Sequence, residues 1–326
     1  MKGVFVDGQF KPFRQIPALP DGYPGPIIRA STLFFVKGNF GRITCQRLVS
    51  GPYEIWHSVY EAAQDCRVRF HHKRAFLGVH AVLEGETYYD INGFQTVRFR
   101  EQECNFYFLP LLDGTVQLEK RKRYQSLNMC LRAAQVKPYL AHFDTGKRFT
   151  KKLFLKEPVV LHQDPLLMGF ALKGIIQEIL TFTAAIDQQD LFLKIKIHEF
   201  LFYLFGASIP FDPIRPEIKD RLLEVKKIID QQFTQHFTIR QLARKSGMNT
   251  TSFKTAFKKA FDMAPFEYLV EIRMQHAVTL LQKRDLSIQR VADAAGYKSF
   301  GSFIKAFKRR FGVTPGQIKK TFPNEP

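Results

Sequence analysis

Apolar residues recur along this chain with two different periods. From about residue 34 to 132 they fall in short alternating runs, the period of a strand with one covered face. The candidate strands are Ile43–Leu48, Glu54–Tyr60, Cys66–His71, Phe76–Leu83, Gly85–Ile91, Gln95–Arg100, Asn105–Leu109, Gly114–Glu119 and Tyr124–Cys130. Asn92-Gly93 and Asp113-Gly114 are dipeptides that favour hairpin turns, and both fall between such runs. So many short strands with no helix between them predict an antiparallel barrel or jelly roll. Ahead of them, residues 1–32 are rich in Pro and Gly and predict an irregular lead-in, with a short strand or two near Val4–Phe10.

After Val136 the period becomes helical. Pro165 to about Thr183 and Asp187 to Phe205 are apolar on more than one face, so each helix must be covered on two sides. One cover is the barrel or the neighbouring helix; the other is a second subunit, unless both helices belong to the core of a monomer. Residues 209–216, Ile-Pro-Phe-Asp-Pro-Ile-Arg-Pro, stiffen the chain and break helices, which predicts a linker there. Arg221 to Gln232 then begins a wholly helical region, with Leu222, Val225, Ile228 and Ile229 on one side.

Within that region one pattern occurs twice. Ile239-Arg-Gln-Leu-Ala-Arg-Lys-Ser-Gly247 precedes Phe253, Phe257, Phe261 and Pro265; Ile288-Gln-Arg-Val-Ala-Asp-Ala-Ala-Gly296 precedes Phe303, Phe307, Phe311 and Pro315. The offset is 49 residues to the glycines and 50 from the first phenylalanine on. Each copy predicts a helix, a glycine turn and a second helix. The phenylalanines at i, i+4 and i+8 form one buried stripe. The opposite face carries Thr251, Lys254, Thr255, Lys258 and Lys259 in the first copy, and Gly301, Ser302, Ile304, Lys305, Lys308 and Arg309 in the second. Short polar and cationic groups on an exposed helix face suit base edges and phosphates. One such helix alone would read equally well as a solvated amphipathic helix; the matched duplication points to DNA. Pro265 opens the helix between the copies, whose apolar side holds Phe266, Leu269, Ile272, Ala277, Leu280 and Leu281, and Asp285 or Ser287 is placed to cap the helix after it.

The stretch from Thr238 to Pro315 resembles the DNA-binding domain of AraC/XylS family transcription regulators, in Ile288–Gly296, Phe303–Phe311 and Phe311-Gly-Val-Thr-Pro315. The resemblance covers the last third of the chain. It implies two helix-turn-helix units joined by a long helix, with the second helix of each unit in successive major grooves on one face of double-stranded DNA. It also implies a cupin-like N-terminal barrel that takes a small-molecule effector, helices that form a homodimer contact, and RNA polymerase as a partner in activation. Arg273 matches the arginine that the family usually has four residues before an alanine, here Ala277, and reads as structural or phosphate-facing. Two departures stand out. Asp262 follows Phe261 where the family more often has glycine, and Phe300-Gly301 replaces polar residues at the start of the second recognition helix.

Charge sharpens this picture. Lys and Arg number 49 against 30 Asp and Glu, a net +19. Residues 217–322 hold 21 of those cations against 9 anions, so a third of the chain carries most of the excess. The expected partner is a polyanion, and nucleic acid fits the duplicated turn better than a membrane surface does. Cys45, Cys66, Cys104 and Cys130 are scattered without metal-ligand spacing and read as reduced thiols of a cytoplasmic protein. His71, His72 and His80 lie near Glu84 and Glu86 but lack the H-x-H spacing of metal cupins, so they read as surface or structural histidines, and no cofactor is expected. Trp56 and Phe106-Tyr-Phe108 are either pocket lining or barrel core, with core favoured. Lys120-Arg-Lys-Arg123 reads as a solvated loop.

The expected fold is therefore α+β: a cupin-like antiparallel β-barrel (roughly 34–132), helices (roughly 137–208), a linker at 209–216 and an all-α domain at 217–322. The first 208 residues are expected to sense an effector or dimerise. The expected function is a sequence-specific DNA-binding regulator, an activator by resemblance. The alternatives are a non-specific DNA-binding protein or a DNA-tethered enzyme; no catalytic arrangement is legible, so no enzyme activity is expected.

Overall fold

The structure is a computed structural model that describes residues 3–72, 74–91, 95–182, 186–206, 216–261, 263–282 and 286–321. The chain divides into two compact units, residues 1–211 and 212–326. Within the first, the strands are β1 (Gly3–Val6), β2 (Gln9–Pro12), β3 (Arg14–Ile16), β4 (Thr32–Gly38), β5 (Gly41–Ser50), β6 (Tyr53–Ala62), β7 (Cys66–His72), β8 (Phe76–Glu84), β9 (Thr87–Ile91), β10 (Gln95–Phe99), β11 (Glu103–Leu109), β12 (Leu112–Leu118), β13 (Arg123–Cys130), β14 (Val159–Val160) and β15 (Leu166–Leu167). The helices are α1 (Ala133–His142), α2 (Asp144–Phe154), α3 (Phe170–Leu180) and α4 (Gln189–Gly206).

These strands form two antiparallel sheets. One runs β10-β9-β12-β7-β1-β2, the other β14-β11-β8-β13-β6-β5-β4-β3, with β15 also on β11. Among the described residues no strand pairing joins the two sheets, so the expected closed barrel is an open sandwich. The chain crosses between sheets from β2 to β3, β6 to β7, β7 to β8, β8 to β9, β10 to β11, β11 to β12 and β12 to β13, and apolar packing rather than a hydrogen-bonded seam holds the layers together. The period of two explains the layering. In β8, Phe76 and Val82 face the other sheet, while Leu77, Val79 and Ala81 face the helices. In β11, Tyr107 and Leu109 face inward between the sheets, whereas Cys104, Phe106 and Phe108 meet Phe149 of α2 and Phe200, Leu204 and Phe205 of α4. Phe106-Tyr-Phe108 is thus core. Trp56 is half-buried, stacked on Phe34 at 5.6 Å. Between the sheets a cavity of about 10 Å³ is lined by Tyr60, Thr87, Tyr89 and Ser126, among others, which is room for a single water.

Several expectations shift. The short strands expected near Val4–Phe10 are β1 and β2, with β1 paired to β7 some 60 residues away, and β3 adds a strand that was not expected in the lead-in. Asp113-Gly114 is no turn. Both lie inside β12, where Asp113 is buried against the Arg69 guanidinium (2.7 Å) and a Cβ on Gly114 would press on the Phe70 ring. Leu167 lies in β15, so the helix expected from Pro165 starts only at Phe170. Asn92-Gly93 and all of the predicted linker but Pro216 fall outside the described residues. His80 is half-buried against the rings of Tyr89 and Phe99 with Nδ1 2.8 Å from Asn128 Oδ1, while His71 lies on the surface 3.6 Å from Asp113. Among the described residues, no three His, Cys, Asp or Glu side chains gather as metal ligands. No described helix is long and apolar enough to cross a membrane.

The second unit is α5 (Pro216–Gln231), α6 (Ile239–Lys245), α7 (Thr250–Phe261), α8 (Pro265–Gln282), α9 (Ile288–Ala294), α10 (Phe300–Phe311) and α11 (Pro315–Thr321). The duplicated pattern has become α6-turn-α7 and α9-turn-α10, with α8 between them.

Candidate nucleic-acid interface

The two copies fold alike because the local signals are alike. Thr238 caps α6, its hydroxyl accepting from Gln241 N–H (3.2 Å), while Gln241 Oε1 accepts from Thr238 N–H (2.8 Å). Ser287 caps α9. The turns close with Gly247 at φ 64° and Gly296 at φ 81°. In each, the residue after the glycine donates back across the helix end: Met248 N–H to Ala243 O and Tyr297 N–H to Ala292 O, both at 3.0 Å. Asn249 and Ser299 then cap α7 and α10, accepting from Ser252 and Ser302 N–H.

What holds α7 and α10 rigid is the phenylalanine stripe. Phe253 and Phe257 are wholly buried and Phe261 nearly so, with the Phe257 ring 5.7 Å from that of Tyr268 on α8. Phe303 and Phe307 are likewise wholly buried, beneath Met274, Ala277 and Leu281 of α8. Phe311 is only half-buried, because it lies at the end of α10. The small Ala243 and Ala292 are buried where each turn is tightest. Of the predicted apolar side of α8, Phe266 is instead 45% exposed, and Tyr268 and Met274 take the core positions.

Polar contacts lock the copies to α8. Arg273, only 7% exposed, donates from Nε to Phe233 O (2.7 Å) and from Nη2 to Gln235 O (2.9 Å), and its guanidinium lies 5.4 Å from the Tyr297 ring centre. It is therefore a structural strut. Burial lowers its pKa from the usual arginine value. Arg310 of α10 grips buried Glu271 with both Nε and Nη2, and that hydrogen bond raises its pKa.

Opposite the stripes lie the predicted contact residues. Thr251, Lys254, Thr255 and Lys258 are exposed on α7, and Lys259 is half-buried. On α10, Gly301, Ser302, Lys305, Lys308 and Arg309 are exposed. Ile304 is half-buried and packs against the α8–α10 core. Each helix therefore presents one polar, cationic face, built on a backbone that its own core holds fixed. Two features went unread in the sequence. Asn249 and Ser299 as caps were signalled by residue type and position, as at Thr238. Phe300, 42% exposed at the first turn of α10, was noted only as a departure from polar residues.

A family described as a helix-turn-helix domain matches residues 242–321. The Msm operon regulatory protein of Streptococcus mutans is similar, at 30% identity over 101 residues, covering 31% of this chain and 36% of that protein. The virulence regulon transcriptional activator VirF of Yersinia enterocolitica is 30% identical over 154 residues, covering 45% of this chain and 55% of VirF. The matched region thus spans about a third to a half of these relatives. Among solved structures, the DNA-binding domain of AdpA in complex with a target DNA is similar at 26% identity and a TM-score of 0.30, covering 31% of this chain and 90% of that one. Residues 242–321 thus carry an AraC-type helix-turn-helix domain, similar to that of these regulators.

Proposed function

We propose that this protein is a sequence-specific DNA-binding transcription regulator whose α7 and α10 enter two adjacent major-groove segments of double-stranded DNA. The observation that carries the reading is the pair of matched helices, each with a polar, cationic face opposite a phenylalanine stripe that is buried in all but Phe311. Thr251, Lys254 and Thr255, and then Gly301, Ser302 and Lys305 with the edge of Ile304, take the base contacts. Lys258, Lys259, Lys308 and Arg309 hold phosphates. VirF is named an activator, and this supports activation, with RNA polymerase as partner, as the direction of control. The protein works where DNA is, in the cytoplasm.

The first unit, a cupin-like sandwich, supplies effector sensing or dimerisation. Dimerisation has support in α4. It buries Leu193, Ile197, Phe200 and Leu204 but leaves Leu191, Ile195 and Phe202 at 62%, 54% and 60% exposure. These three recur at helical spacing on one outward stripe, suited to a second copy.

The test is selection of binding sites from random DNA by the full chain at about physiological salt. The expected result is an enriched site with two segments one helical turn apart. Binding without enrichment, vanishing as salt rises, would make the protein a non-specific DNA binder.

A further inference from the structure

We propose that the first unit carries a DNA-contacting surface of its own, the cationic face of α2, which grips phosphates of the duplex that the second unit holds. This deepens the DNA-binding function proposed above and rests on it.

The charge of the first unit is concentrated in one place. Residues 132–156 hold seven Lys and Arg against one Asp, whereas the other 186 residues up to 211 hold 20 against 18. Outside α1 and α2 the unit is therefore nearly neutral. The basic run that stands out in the sequence, Lys120–Arg123, is half spent on carboxylates: Lys122 pairs with Glu119 at 2.8 Å and Arg123 with Glu84 at 2.7 Å. On α2 the cations face outward. Arg148 and Lys151, with Lys156 just past the helix, are exposed and make no ion pair among the described residues. Exposed Lys147 shares the face of Arg148 and Lys151, and half-buried Lys152 lies 3.7 Å from Glu157.

This face is held in place from behind. Buried Phe149, on the opposite side of α2, has its ring 5.2 Å from that of Phe106 in β11. A Cβ on buried Gly146 would strike the Leu140 backbone at 2.3 Å, so α2 sits tight against α1.

Helix stability does not call for these cations. Lys151 and Lys152 in the last turn suit the helix dipole, but Lys147 in the first turn works against it. Lys156 has φ 56°, a conformation that glycine takes at lower cost, where Glu157 N–H closes the helix end on Lys152 O at 2.9 Å. A charge kept at positions that do not favour it points to a partner outside the chain.

The partner follows from charge and from covalent connection. DNA is a dense polyanion, and its phosphates take such cations whatever the base sequence. One chain carries both units, so a duplex held by the second becomes an intramolecular partner for the first, which raises its effective concentration. Phe154 and Leu155, 87% and 54% exposed at the end of α2, are the apolar exception. An anionic membrane would bury them; phosphates need only the cations.

The test is the salt dependence of DNA binding by the full chain, on duplexes that extend several helical turns beyond the selected site. Arg148→Gln, Lys151→Gln and Lys156→Gln are made together. The slope of log affinity against log salt should become shallower by about 0.9 for each phosphate released, roughly 2–3 in all. Affinity at physiological salt should fall about tenfold or more, by the same factor on the selected site and on a scrambled one, so preference is kept. Lys305→Ala differs, since it should relax preference. The melting temperature should hold, because all three side chains are exposed. Lys151→Arg with Lys156→Arg should bind like wild type. As a control, Lys37→Gln, Lys120→Gln and Arg121→Gln together remove the same charge elsewhere on the unit and should leave the slope unchanged, as should Phe154→Ser with Leu155→Ser. The inference is overturned if the α2 variant keeps the wild-type slope, if the control flattens it as much, or if the Phe154 and Leu155 changes cost the same affinity. An unchanged slope, with vesicles of phosphatidylserine in phosphatidylcholine bound by wild type and not by the α2 variant, would give the face to a membrane instead. A wild-type chain that prefers no sequence would end the proposed sequence reading, yet the slopes would still decide whether α2 holds phosphates.

Discussion

Gly247 and Gly296 occupy equivalent turns, yet their surroundings differ. Both have positive φ, so a side chain at either costs about 1–2 kcal/mol in backbone strain. A Cβ on Gly296 would also lie 2.7 Å from Thr234 Cα, whereas on Gly247 it would meet only the mobile tip of Arg221 at 3.1 Å. Gly296→Ala should therefore destabilise the chain clearly more than Gly247→Ala, as read from urea midpoints. Lys305 is exposed on the cationic face of α10 proposed to read DNA, so Lys305→Ala should leave stability unchanged and cost ~1–3 kcal/mol on the selected site, with relaxed preference there. Equal weakening on every sequence would make it a phosphate contact. Buried His57 and half-buried His80 act on stability instead. Burial pushes the pKa of His57 and of His80 down to about 4. The unfolded chain takes up these protons near pH 6.5, the folded chain only near 4. Their contribution is thus complete above about pH 6.5 and falls as pH drops toward 4, by roughly 2 kcal/mol each at pH 5. Urea denaturation at pH 7.5 and 5.0 should show that loss.

Among the elements, α8 decides whether two helix-turn-helix units form one body. Its Arg273 ties the loop after α5 to the turn before α10 by two carbonyl contacts and the Tyr297 ring. A lysine has neither the planar fork nor the reach for all three. Arg273→Lys should cost about 2–3 kcal/mol and broaden the unfolding transition of the second unit, measured by circular dichroism. The element reading from sequence was good where a helix carries its own start and stop, as in α6, α7, α9 and α10. It was poorer for β3 and β4, which were passed over although Pro and Gly between them and Gly38-Asn39 after β4 are turn signals. It failed at Asp113-Gly114, since a dipeptide that suits a turn also suits a strand where an aspartate finds an arginine and a glycine makes room for an aromatic ring.

At the scale of the whole molecule, charge and exposed apolar surface set what the chain can meet. Most of the cationic excess sits in the last third, and the outward stripe of Leu191, Ile195 and Phe202 sits on α4. If that stripe pairs two copies, Ile195→Lys with Phe202→Lys should convert a dimer to a folded monomer at tens of micromolar in sedimentation equilibrium. A wild-type monomer at that concentration would exclude the contact. DNA affinity should fall with the same pair of changes, because a dimer holds two domains on one site.

The sequence alone determined the duplicated turns, the helices they join, the buried phenylalanine stripes and the place of the positive charge. All of these follow from contacts or conformations within a few residues, and they were repeated, so each copy supported the other. Tertiary structure alone decided which sheet each strand joined, since β1 finds β7 only after the chain has gone out and returned. It turned Arg273 inward toward two carbonyls, brought Phe266 to the surface and drew Ile304 toward the core while leaving Phe300 outside. Helical periodicity assigns the middle of a face well and its edges poorly. Residues at an edge take the side that neighbouring elements leave open, and no local pattern encodes those neighbours.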